Sequence, residues 1–473
     1  MDVERSGGKI ASRFIKRLKV LDRHFVYNPC STVHCEVDVK TWGHLGRTGF
    51  CGEESVPPEV LAVLETAAPP ARPSAFPELK SIIFQVSHAC NLRCRYCNAD
   101  FGRYGGGAFR MMSLETARKG IDFLFENSGS RRIAINYFGG EPLLNFSTVL
   151  DSARYALERA EAEGRELALH LVTNGVLLSP ETIFLLDDLG FTLTVSLDGP
   201  PVYHNKARPF ADGAGSFGPT ARALHMMTKL PIGRRVTVRG TFTRDSAYFF
   251  PLAKFLVRAG LSKNIAYEPV FLPSHDRLSL RWRDLGMVKK AYVDLAEYYV
   301  SRWRAGEPFC LWDFDDALTQ LALGIPRRSR CGAGATTVAL TAEGDLYACH
   351  MSTGMREARV GSLDGGFDEE RRSSWLERYI AGRAGCSGCW LEKLCGGGCN
   401  THALLYNKDI SQPYRLECKL IEHRYRLAFR ILAEIPGLRE AIRACHPLAH
   451  LEMDSGHDTI PLWSCKGDNR WNS

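Results

Sequence analysis

The chain of 473 residues, 45% hydrophobic and 24% charged, is too long for one ordinary core and has the composition of globular domains, so two or three are expected. No apolar run approaches the ~18 residues that span a bilayer. The basic stretch Met1 to Asp22 lacks a signal-peptide core, and the net charge of +7 is spread along the chain, so neither a membrane nor a nucleic-acid partner is expected and the location is read as cytoplasmic.

At the N-terminus Val33, Cys35, Val37 and Val39 alternate with polar residues, which predicts a half-buried strand. A short helix is predicted over Pro58–Thr66, and prolines 69, 70, 73 and 77 mark a linker near 67–78. Residues 1–77 are therefore read as a small α+β module with its linker. It is either an adaptor that adds a peptide to a sheet edge or an appendage packed on the main body.

From residue 80 strand-like and helical stretches alternate. The runs Ser81–Ser87, Arg132–Phe138, Leu167–Val172, Thr192–Leu197, Arg235–Thr243 and Asn264–Val270 read as strands. Leu114, Ala117, Ile121, Leu124 and Phe125 form one apolar helical face behind Ser113, a natural N-cap. Ser179-Pro180 opens another helix, and a short one is predicted over Trp312–Leu323. Six β–α repeats make an α/β fold with a parallel sheet, curled into a partial barrel or doubly wound. In both, chemistry gathers at the carboxyl ends of the strands. There the chain places Cys90, Cys94 and Cys97, then Gly139-Gly140-Glu141-Pro142, Thr173-Asn174-Gly175 and Ser196-Leu197-Asp198-Gly199.

Cysteine usage is the strongest signal. Sixteen cysteines in a chain without an export signal imply a reducing compartment, where disulfides do not persist. Short-spaced groups of them imply metal. Cys90-x3-Cys94-x2-Cys97 offers three thiolates on one loop, enough for three irons of a [4Fe–4S] cube with the fourth left open. With His88 as a fourth ligand the same loop suits zinc. Read singly, Gly139-Gly140 and Asp198-Gly199-Pro200 are ordinary turns, and Arg208 is as well suited to the surface as to pairing a carboxylate.

CxxxCxxC after the first strand, with Tyr96 before its last cysteine and GGEP at 139–142, resembles the radical S-adenosylmethionine (SAM) superfamily. The resemblance implies a partial (β/α)6 barrel over residues 78–300. It implies that the open iron chelates SAM, that Gly139, Gly140 and Glu141 hold its methionine amine, and that Ser196 and Asp198 serve as ribose and methionine contacts, with Arg208 as carboxylate partner. Reductive cleavage of SAM then releases a 5′-deoxyadenosyl radical that removes hydrogen from an unactivated C–H bond.

Downstream, Cys331, Cys349, Cys386-x2-Cys389-x5-Cys395-x3-Cys399 and Cys418 resemble the SPASM domain of radical SAM peptide maturases, here residues 301–430, followed by a C-terminal helix and tail over 431–473. This implies two auxiliary [4Fe–4S] clusters, three in all. Cys386, Cys389, Cys395 and Cys418 are implied as ligands of the outer one, and Cys331, Cys349 and Cys399 of the inner one. The inner set lacks an evident fourth ligand, and Cys310 is the nearest upstream candidate. Cys30, Cys35, Cys51, Cys445 and Cys465 match nothing and read as core or free thiols.

The segments 99–104 (ADFGRY), 238–243 (VRGTFT) and 331–334 (CGAG) are similar to maturases that install cysteine thioethers, in particular the maturation family of quinohemoprotein amine dehydrogenase. That likeness implies bonds from cysteine sulfur to Asp or Glu methylene carbons in the dehydrogenase small subunit, with electrons from a flavodoxin or ferredoxin. Another SPASM maturase, making formylglycine in sulfatases or carbon–carbon cross-links, and a non-enzymatic iron–sulfur protein are the alternatives. No Ser–His–Asp arrangement or phosphate loop supports hydrolysis or phosphoryl transfer.

Overall fold

The computed structural model describes residues 15–20, 23–28, 34–39, 42, 50–51, 78–104, 107–324, 326–327, 329–380 and 383–445. The predicted helix Pro58–Thr66 and nearly all of the 67–78 linker lie outside them. Four strands form a small antiparallel sheet in the order β3-β2-β1-β4: β1 Ile15–Val20, β2 Arg23–Tyr27, β3 His34–Val37 and β4 Phe50–Cys51. The strand expected from the valine alternation is β3.

The main sheet begins with β5 Ser81–Ser87, β6 Arg132–Gly139, β7 Glu166–Thr173, β8 Thr192–Ser196, β9 Val236–Phe242 and β10 Asn264–Pro269. These run parallel and in sequence order, and the short β11 Cys310–Leu311 closes that edge. All six predicted strands are present to within a residue or two. Helices cover one face, and Ser113 and Ser179 cap two of them by accepting from the backbone N–H of Thr116 and Thr182. The sheet is an open α/β partial barrel.

Beyond β5 the sheet continues with strands from the second cysteine segment. β12 Thr337–Leu340 pairs parallel with β5, and β13 Asp345–Tyr347, β14 Arg359–Ser362 and β15 Gly366–Phe367 follow antiparallel. The helix Trp312–Leu323 forms where predicted and is buried almost all round. It packs against the helix Arg415–Glu434. One apolar core runs through the described chain and includes Leu18, Val20, Phe25 and Tyr27 of the small sheet.

Candidate active site

The chain leaves β5 into the first cysteine loop and leaves β6 into Gly139-Gly140, and the two exits touch. Gly140 N–H donates to Ser87 O at 2.7 Å, and Glu141 N–H to Ala89 O at 2.8 Å. A side chain has no room here: a Cβ on Gly139, whose φ is +150°, would stand 2.5 Å from Ser87 O, and one on Gly140 2.2 Å from Ala89 O. The glycines let the second loop lie directly on the first. The fully buried Glu141 carboxylate accepts from Leu143 N–H at 3.1 Å, Asn174 N–H at 2.8 Å and the Thr173 hydroxyl at 2.7 Å. Burial pushes its carboxyl up to about 7 against the pull of those donors. Glu141 thus ties GGEP to the exit of β7, a role the motif alone did not suggest.

A second buried group stands across the rim. Asp198, fully buried, accepts from the Tyr96 hydroxyl, from Arg208 Nε at 3.0 Å and from Thr241 N–H at 3.0 Å. The Arg208 guanidinium lies 5.2 Å from the Tyr96 ring centre, and its Nη1 is 4.0 Å from Cys94 Sγ. Arg208 is therefore an interior residue, 9% exposed. Ser196, half-buried at the end of β8, completes that rim.

The first cysteine loop is shaped around its sulfurs. Leu92 N–H points at Cys90 Sγ (3.5 Å) and Phe101 N–H at Cys97 Sγ (3.3 Å). Asp100, Phe101 and Tyr104 adopt left-handed backbone conformations (φ of 45°, 56° and 46°), strain of the kind stored at functional sites. Burial pushes the Cys90 thiol up to about 12 and Cys94 up to about 11. His88 Nδ1 lies 3.6 Å from Glu343 in the turn after β12.

The cysteines of the second set fall into two neighbourhoods. Cys349 is raised to about 11 by burial and then by Cys331, while burial, Glu417, Cys349 and Cys331 together raise Cys399. Those three thiols are electrostatic neighbours. Cys418 is raised to about 12 by burial, with Cys395, Glu417 and Cys386 adding to it, and Cys389 acts on Cys386. Cys310 belongs to neither group. It sits on β11 opposite Asn264, at the amino end of the barrel strands, buried and hydrogen-bonded to Asp315. That placement argues against Cys310 as the inner ligand.

Residues 84–242 match the model of the Radical SAM superfamily. That stretch is a radical SAM domain. The radical SAM cyclopropyl synthase TigE of Paramaledivibacter caminithermalis is 22% identical over 334 residues, 68% of each chain. A cysteine-type anaerobic sulfatase-maturating enzyme of Clostridium perfringens is 23% identical over 341 residues, 68% of this chain and 89% of its own. The solved structure of native anSMEcpe with bound AdoMet and Kp18Cys peptide superposes with a TM-score of 0.65 at 19% identity, covering 76% of this chain and 99% of that one. At that identity the likeness is one of fold. The radical SAM domain implies SAM and one [4Fe–4S] cluster.

The donors fit such a cluster. A single ion needs its ligands to converge to within about 2.3 Å of one point, and among the described residues no three of His, Cys, Asp and Glu do so. A cubane takes one thiolate at each iron corner and so suits thiols spread around a larger object. Cys90, Cys94 and Cys97 are mutual neighbours with backbone N–H groups aimed at two of the sulfurs, and buried thiols release their protons to the metal.

Side-chain alternation gives the parallel strands an inner, half-buried face that the sequence motifs did not mark. Val236, Val238 and Phe242 of β9 face the helices, whereas Thr237, Arg239 and Thr241 are half-buried on the other face. Thr194 and Ser196 of β8 and Asn136 and Phe138 of β6 do the same. The loop after Cys349 reaches this face. The His350 ring lies 4.5 Å from that of Phe138, and Gln85 Nε2 of β5 donates to His350 O at 3.1 Å and Thr353 Oγ1 at 2.9 Å. Alternating polar residues on buried strands were the available signal.

Proposed function

We propose that this radical SAM enzyme modifies a peptide, joining cysteine sulfur to Asp or Glu methylene carbons in the small subunit of a quinohemoprotein amine dehydrogenase. The observation that carries a peptide reaction with auxiliary redox groups is the clamp of Gln85 on the Cys349-His350 loop. It supports a reading in which Cys349 works close to the first cysteine loop, since β5 carries both Gln85 and the exit into that loop. The printed names of the cyclopropyl synthase and the sulfatase-maturating enzyme support a maturase.

Cys90, Cys94 and Cys97 would hold the SAM-binding cluster, Cys331, Cys349 and Cys399 the inner auxiliary cluster, and Cys386, Cys389, Cys395 and Cys418 the outer one. When bound, SAM and the reduced clusters supply a radical that takes the methylene hydrogen and an acceptor for the electron left once sulfur and carbon are joined. The protein's own part is placement. Backbone groups of Gly139 and Gly140 would hold the methionine amine, with Glu141 bracing that loop against the exit of β7. Ser196 and Asp198 would serve the ribose and methionine, and Arg208, hydrogen-bonded to Asp198 and near Cys94, would pair the SAM carboxylate. With Cys310 bonded to Asp315, the inner set keeps three thiolates, and a substrate cysteine completes it. That arrangement would hold the sulfur deprotonated beside the carbon to be attacked.

The reductant is a flavodoxin or ferredoxin, and the compartment cytoplasmic. Among the described residues no helix is long and apolar enough to cross a membrane. The test is anaerobic incubation of reduced enzyme with SAM and the small-subunit peptide. Each thioether removes two hydrogens and protects one cysteine from alkylation. A product two hydrogens lighter whose cysteines all alkylate would overturn the thioether reading.

A further inference from the structure

The inner face of the barrel carries one charged pair that none of the roles above uses. Arg239 of β9 and Glu268 of β10 are hydrogen-bonded through Arg239 Nη2 and Glu268 Oε2, with side chains 33% and 29% exposed. The pair is half-buried, and Arg239 belongs to the inner, alternating face of β9. Arg239 lies opposite Ser196 in the β8–β9 register, one strand spacing of about 4.8 Å away. Two residues further along β9, Thr241 donates its N–H to Asp198. Arg239 therefore stands on the rung of Ser196, beside the proposed SAM contacts.

Its chemistry is that of a carboxylate receptor. A guanidinium offers five donors in a planar fork that matches a carboxylate, and Glu268 engages Arg239 through one nitrogen. Burial works against the Glu268 carboxylate, while Arg239 first and then the positive charge of Arg424 and Arg330 favour it, so Glu268 is held below the usual carboxylate range. The Arg239 side chain keeps about a third of its surface exposed.

We propose that Arg239 anchors the side-chain carboxylate of the substrate Asp or Glu, presenting the adjoining methylene on the rung of Ser196, while Glu268 orients the guanidinium. This rests on the thioether reading. A carboxylate held by its oxygens leaves its neighbouring C–H bonds unobstructed, and the requirement for an acid rather than an amide would then be set by one arginine. An amide analogue puts an N–H₂ against the guanidinium donors, a mismatch worth about tenfold or more.

The experiment compares the small-subunit peptide with an analogue whose cross-linked Asp and Glu are replaced by Asn and Gln, each with wild-type, Arg239→Gln and Arg239→Lys enzyme. Iron content and thermal unfolding are followed for each protein. Wild type is expected to favour the acid peptide by about tenfold or more in kcat/KM, chiefly through KM. Arg239→Gln should reduce that preference to within about twofold, and Arg239→Lys, which keeps the charge without the fork, should fall between. Because the preference is a ratio within one protein, a general loss of activity cancels. Should Arg239→Gln not fold, an undiminished preference in Arg239→Lys overturns the proposal, as does a preference retained in Arg239→Gln. Wild type that forms no thioether in the acid peptide overturns the thioether reading itself.

Discussion

Replacing Cys310 with Ala tests the assignment of the inner cysteine set directly. The thiol is 5% exposed and donates to Asp315, whose carboxylate also accepts from the Tyr299 hydroxyl at 2.7 Å and from the backbone of Leu311. Removing the sulfur leaves that carboxyl two donors and a cavity of about one atom. The loss is one buried hydrogen bond plus a small packing term, about 1–3 kcal/mol. That is a fraction of a typical domain's stability. The variant should fold, and after anaerobic reconstitution it should carry as much iron as wild type, about twelve atoms for three cubanes. Denaturant unfolding and iron counting are the measurements. An iron count lower by about four, with the spectrum of one cluster missing, would refute the reasoning and make Cys310 a ligand.

Gly140→Ala sets a methyl carbon 2.2 Å from Ala89 O and 2.6 Å from its carbonyl carbon. Backbone must move, and the variant should lose the first cluster's iron together with 5′-deoxyadenosine formation. Asp315 is raised to about 7 by burial, which outweighs the hydrogen bonds it accepts. Its stabilising contribution is fully present below the unfolded value near 3.9 and is lost as pH rises through about 7, on the order of 4 kcal/mol. Unfolding midpoints of wild type minus Asp315→Asn between pH 5 and 8 should therefore fall with pH, and a flat difference would contradict the shift. Phe25→Ala, at a site 2% exposed with its ring 5.6 Å from that of Phe429, should cost about 3–5 kcal/mol. An unchanged denaturation midpoint would mean that the small sheet is only tethered.

Legibility in the sequence followed the range of the interactions. Ser81–Ser87 and Trp312–Leu323 form over the residues expected, because alternation and helical periodicity are local and Ser113 and Ser179 make local caps. The loop after Cys97 was recognisable by its cysteines, and the Gly139-Gly140 exit by its missing side chains. What stayed hidden was long-range. Nothing near Thr337–Leu340 reveals that it pairs with Ser81–Phe84, 256 residues earlier. The inner-face residues Arg239 and Glu268 look like ordinary charges near strand ends until the barrel curvature sets them face to face. Of the small sheet the valine alternation marked one strand, since the others have no clean period of two.

The pairing of β12 with β5 bears on how the two cysteine sets act together. β5 runs straight into Cys90, and β12 lies between Cys331 and Cys349, so neighbouring strands of one sheet carry the first set and the inner set. Hydrogen bonds of the ladder fix their spacing in the same way that they fix any two strands, at about 4.8 Å laterally. Loop contacts add to this: Gln85 clamps the residues after Cys349, Glu343 lies 3.1 Å from Arg110 beside the first loop, and a Cβ on Gly354 would stand 2.7 Å from Tyr104 O. Two groups mounted this way cannot drift apart as tethered domains do. A reaction in which carbon loses hydrogen at one centre and joins a sulfur held at another needs that constancy, because a displacement of an ångström in bound geometry costs orders of magnitude in rate. The small sheet extends the same logic to the outer set. Tyr27 packs edge-on to Trp390, next to Cys389, and Phe25 packs against Phe429 on the helix that carries Cys418. A peptide bound along that sheet would thus be referenced, through continuous packing, to all three cysteine sets at once.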